Sequence, residues 1–82
     1  MDYDLWVDFQ RMGDDGRLLA RGRNARPGLT ITAGMYLVVG CEDARPAVAR
    51  ILTVTAEGSL ELLVLPGPVD LHRHLLPTQS EH

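Results

Sequence analysis

The sequence predicts an all-β fold: a small five-stranded antiparallel barrel, or a strongly bent sheet, followed by a short C-terminal helical turn. Three observations carry that expectation. Apolar and β-branched residues come in short runs with the period of a strand. Tight-turn chemistry (GDDG, EDARP, AEGS, PGP) separates those runs. Only residues 69 to 76, framed by Pro68 and Pro77, have room for helix, since proline suits a first helical turn and cannot continue past the last.

Each element follows in chain order. Residues 3 to 10 alternate, with Tyr3, Leu5, Val7 and Phe9 on one face, which predicts a half-buried first strand. Gly13-Asp14-Asp15-Gly16 turns the chain, and residues 17 to about 23 form a second strand that completes a hairpin with the first. Residues 24 to 28 are a loop, with a short extended piece at 29 to 31. Residues 35 to 41 (MYLVVGC) are apolar on both faces, as a strand covered on both sides should be. A turn at 42 to 46 leads to a strand at 47 to 55, and the tight turn at 56 to 59 leads to a fifth strand at 60 to 65. Glycines recur at 16, 22, 28, 34 and 40, yet no other position keeps a constant side-chain type in that register. They punctuate strands and do not define a repeat.

With 82 residues the chain makes one small core, read as a single domain over residues 1 to 77 with a frayed tail at 78 to 82. The acidic start, MDYDLWVDFQ, lacks the basic and apolar regions of a signal peptide, and no apolar run is long enough to span a membrane. A single cysteine, Cys41, cannot form an intramolecular disulfide. Together these predict a cytoplasmic location. All eight basic residues are arginine. The lack of lysine removes Schiff-base chemistry and the phosphate-gripping lysine of nucleotide-binding loops. The net charge of −3 hides a local excess: residues 16 to 41 hold Arg17, Arg21, Arg23 and Arg26 and no acid.

Residues 34 to 66 run from a glycine through an apolar strand ending Val39-Gly40, an acidic turn, Pro46-Ala47-Val48-Ala49-Arg50, a Glu57-Gly58 turn and a last apolar strand. This stretch resembles the strand-turn-strand core of Src-homology-3-like small β-barrels, including those of nucleic-acid-associated bacterial modules. The chain also resembles short uncharacterised proteins of high-GC bacteria, a likeness that implies no activity. The first resemblance implies a small barrel, and a superfold of this kind does not assign function.

Catalytic chemistry finds little support. Cys41 with His72 or His74 would make a thiol nucleophile and base, but Cys41 reads as a small hydrophobe sharing a strand face with Met35, Leu37 and Val39. His72 and His74 lack a third committed metal ligand. Asp14 and Asp15 lack the oxygen cage that calcium needs. No nucleophile elbow and no phosphate-binding glycine loop is present, so the sequence predicts no enzyme and no cofactor.

Binding is the better expectation. Arg17, Arg21 and Arg23 share strand parity, with Arg26 beyond them in the loop. Guanidinium groups there would bind an acidic protein partner or pair with Asp4 and Asp8 of the preceding strand. Alternatively, they would bind nucleic acid, against which stand the pI near 5.4 and the lack of nearby aromatic residues for stacking. In the fifth strand Leu63 and Leu65 are expected to point outward, near Leu75, and to support a homodimer. The expected protein is a non-catalytic interaction module that binds a protein partner and self-associates. The alternative is a weak nucleic-acid binder using the Arg17 to Arg26 face.

Overall fold

The computed structural model describes residues 3 to 77, so the expected tail at 78 to 82 lies outside the described residues. The fold is all-β, a curled half-barrel of five strands with one short 3₁₀ turn at its C-terminal end. The strands are β1 (Leu5–Trp6), β2 (Arg17–Arg21), β3 (Tyr36–Cys41), β4 (Ala44–Val54) and β5 (Ser59–Val64). Three 3₁₀ segments accompany them: η1 (Phe9–Arg11), η2 (Gly22–Asn24) and η3 (Val69–Leu75).

The sheet order is β1-β3-β4-β5-β2. The expected hairpin between the first two strands is not formed. Instead β1 runs parallel to β3, with Leu5 opposite Val39 and Trp6 opposite Gly40, while β2 pairs antiparallel with β5. The first strand is short because Asp8 caps η1: its Oδ1 accepts the Gln10 N–H at 3.1 Å and draws the chain out of extended form. The alternation that predicted this strand still decides burial. Leu5 and Val7 are fully buried, while Tyr3 and Phe9 are half-buried at its ends.

β4 is the spine, pairing with β3 on one side and β5 on the other. It begins at Ala44, because the turn is only Glu42-Asp43. Pro46 is tolerated there because it lies where β4 extends past its pairing with β5, which starts at Ala49. Register shifts between Val39 and Cys41 and between Ile51 and Thr53 bend the sheet. The inner faces supply the core: Leu5, Val7, Leu18, Leu37, Val39, Ala49, Ile51, Leu60 and Leu62 form one cluster, with Leu29, Ile31 and Met35 packed on it from the loop. Residues 29 to 31 thus contribute side chains without forming a strand.

The two edge strands, β1 and β2, lie at opposite ends of the sheet and are tied to each other's flanking segments at two places. Past η2 the chain returns to β1, where Ala25 bridges Leu5 and the Arg26 N–H donates to the Asp4 carbonyl at 2.8 Å. At the other end the Gly13 N–H donates to the Arg17 carbonyl at 2.8 Å. Between these points lies an open seam.

Candidate functional site

The seam holds the candidate site, a groove of about 460 Å³. One wall is β1 and η1, which contribute Trp6, Asp8 and Arg11. The other is β2, which contributes Leu19, Ala20 and Arg21. Leu19 is the most conspicuous of these. The core takes Leu18 through strand alternation, so Leu19 points outward and is 72% exposed, the largest value among the exposed large hydrophobic residues. Arg17 and Arg21 flank it on the same face. Opposite them on β5 stand Leu63, Glu61 and Ser59.

The four arginines expected to form one face divide by environment. Arg17 is held by acids: its guanidinium lies 3.6 Å from Asp15 and 3.5 Å from Glu61. Arg26 is also held, its Nε donating to Asp4 Oδ1 at 2.8 Å, while Asp4 Oδ2 accepts the Val38 N–H at 3.2 Å. Arg21 and Arg23 make no ion pair among the described residues. The expected common parity ends at Arg21, because β2 stops there and Arg23 is on η2. Arg11, on the facing wall, pairs with Asp8 at 3.6 Å, a contact so exposed that it costs little to exchange.

Trp6 stands where β1 gives way to η1, half-buried, its Nε1–H donating to Glu42 Oε1 at 3.1 Å. That hydrogen bond favours the charged carboxylate and holds the Glu42 pKa below the usual glutamate value; the backbone N–H of Glu42 itself acts in the same direction. Alternation in sequence puts Trp6 on a strand and offers it no part in a site, because only the β1–η1 break brings it beside β2.

The leucines expected to carry a dimer are less available. Leu63, Leu65 and Leu75 are all half-buried. A Cβ built on Gly16 would lie 3.4 Å from Leu63 Cδ1, so that side chain lies against the Gly16 turn. On η3, which packs against β4, it is Leu71 that is exposed, at 61%.

Cys41 is half-buried, unlike Leu37 and Val39, because the register shift after Val39 turns it away from their face. His72 Nε2 lies 2.7 Å from the Pro66 carbonyl, which ties η3 to the preceding turn. His74 is exposed on the same 3₁₀ segment, where residues two apart point in different directions. Among the described residues no group of three or more His, Cys, Asp or Glu could hold a metal ion. No helix of the described residues is long and apolar enough to cross a membrane.

A larger hollow, about 550 Å³, lies between the 29-to-38 segment and the end of η3. Asp4 and Arg26 in its lining are already committed to each other, whereas Arg21 in the seam makes no ion pair among the described residues. The class defined by fold and site is an all-β half-barrel with an open, arginine-flanked seam. No protein-family model, curated protein or solved structure matches the chain.

Proposed function

We propose that this chain is a non-catalytic interaction module that binds a protein partner in the seam between β1 and β2. One observation carries the reading: Leu19, a large apolar side chain 72% exposed on a hydrogen-bonded strand, sits beside Trp6 and between two arginines. Exposing a leucine costs burial free energy of about 1.5–3 kcal/mol that the core would otherwise gain. Aromatic and arginine side chains around an exposed apolar centre are the usual anchors of a protein interface. The resemblance of residues 34 to 66 to Src-homology-3-like barrels agrees with a small binding fold and adds no ligand.

Nucleic acid is the competing ligand. It draws on Arg21 and Arg23 alone, since Arg17 and Arg26 are engaged with acids. The test is capture of partners from nuclease-treated extract by wild type, Leu19→Glu and Leu71→Glu. Proteins retained by wild type and Leu71→Glu but lost with Leu19→Glu are the expected result. Capture that vanishes on nuclease treatment would transfer the seam to nucleic acid, and capture indifferent to Leu19→Glu would remove the seam from the interface.

A further inference from the structure

The seam exposes backbone as well as side chains. Along β2 the register with β5 is unbroken, from Arg17 opposite Leu63 to Arg21 opposite Ser59. Its bonds to the β5 side fall on even-numbered residues: the Val64 N–H donates to the Gly16 carbonyl at 2.9 Å, and the Gly22 N–H donates to the Gly58 carbonyl at 2.8 Å. In an antiparallel ladder consecutive residues point their N–H and C=O groups alternately to the two sides. The odd-numbered residues therefore turn theirs toward the seam. Arg17 shows this directly, since its carbonyl accepts from Gly13 and its N–H donates to Asp15 Oδ1 at 3.0 Å. These contacts close the start of the edge. Among the described residues no such contact covers Leu19, whose N–H and C=O both face the groove, or the N–H of Arg21.

We infer that an extended segment of a partner protein adds as an antiparallel strand to the free edge of β2, pairing its backbone with Leu19 and placing an acidic side chain against Arg21. This rests on the seam being a protein-binding site and specifies how it binds. Strand addition draws affinity from main-chain bonds and selectivity from alternate side chains. The partner residue opposite Leu19 forms the two-bond pair and presents an apolar side chain beside Leu19. The residue two earlier in the partner faces Arg21, whose guanidinium has no ion pair among the described residues. The recognised pattern is therefore acid, any residue, apolar.

A second copy of this chain fits that edge poorly. Two-fold pairing centred on Leu19 would set Arg17 of each copy opposite Arg21 of the other, and like charges directly opposite are unfavourable. Charge complementarity selects a different, acidic strand.

The probe is a fluorescent, end-capped peptide T-E-T-V-T, titrated against the full chain at low salt, beside three variants. One carries an N-methyl group on the valine nitrogen, one replaces glutamate by lysine, and one scrambles the order. Wild-type binding should raise protection of the Leu19 and Arg21 amides against hydrogen exchange. N-methylation removes one interstrand hydrogen bond and blocks close approach, so it should weaken binding by about tenfold or more. The lysine peptide should bind poorly to wild type and recover on Arg21→Glu, a charge exchange that a misfolded variant could not produce. Equal binding of the N-methylated peptide would overturn strand addition and leave a seam that binds through side chains. No peptide binding, with Leu19-dependent protein capture intact, would overturn the strand pattern and leave the module reading standing. A single-stranded oligonucleotide binding in place of every peptide would overturn both.

Discussion

Glu42 and Trp6 show how one hydrogen bond couples the β3–β4 turn to the edge of the seam. The indole N–H donates to the carboxylate and lowers its pKa. For a carboxylate whose folded pKa is depressed, the associated stabilisation is present above the unfolded pKa and is lost as pH falls through the folded value. Trp6 is the sole tryptophan, so its emission reports the event without ambiguity. A titration from neutral pH downward should show a step in Trp6 fluorescence with its midpoint below the ordinary glutamate range, and Glu42→Gln should abolish it. A midpoint at or above that range would mean that the bond is not kept in solution. Because Glu42 is fully exposed, the step should appear in the indole signal far more than in global stability.

At the scale of elements, two turns that look alike in sequence differ in what surrounds them. Gly58 ends the β4–β5 turn at φ +88° in open space, and Gly16 ends the turn before β2 at φ +86° with the Val64 carbonyl 3.0 Å from where a Cβ would stand. Gly58→Ala should cost about 1 kcal/mol in conformational strain alone, with asparagine costing less because it tolerates the left-handed region. Gly16→Ala adds a backbone clash to the same strain and should cost more, as measured by chemical denaturation. Equal losses would refute the close packing of Gly16 on β5. The turns themselves were legible in the sequence, as were β3, β4 and β5 as strands, since turn chemistry and strand-forming runs are local signals. The pairing of β1 was not. Its ladder is only two residues long and its partner lies more than thirty residues away, so nothing local distinguishes a hairpin from a parallel crossover. The arginines of the site were visible, but Leu19 read only as part of a strand. Its exposure depends on β2 being an edge, which is a property of strand order.

The whole molecule disposes of its apolar surface with little left over. Leu63, Leu65 and Leu75 are half-buried within one chain, while the exposed large hydrophobic residues are Met12, Leu19, Val54 and Leu71, scattered over several elements. Outside the seam, Met12, Val54 and Leu71 stand singly, as exposed apolar residues normally do on a monomer. Sedimentation equilibrium at micromolar concentration should therefore give a 9.0 kDa species. A dimer that Leu71→Glu converts to monomer would instead identify the η3 side as a contact between copies.

The parallel pairing of β1 with β3 also sets an order of events during synthesis. Leu5 and Trp6 are made before their partners Val39 and Gly40, which follow more than thirty residues later, about two to seven seconds at ordinary elongation rates. Throughout that interval the N-terminal segment, with its tryptophan and two future core residues, has nothing to dock on. The central meander of β3, β4 and β5 can assemble from neighbouring residues once it emerges, whereas closing the long loop back to β1 carries the entropic cost of a distant contact. β1 thus stays unpaired until the middle of the sheet has been made, and the earlier strand of this pair is the one that waits for its place.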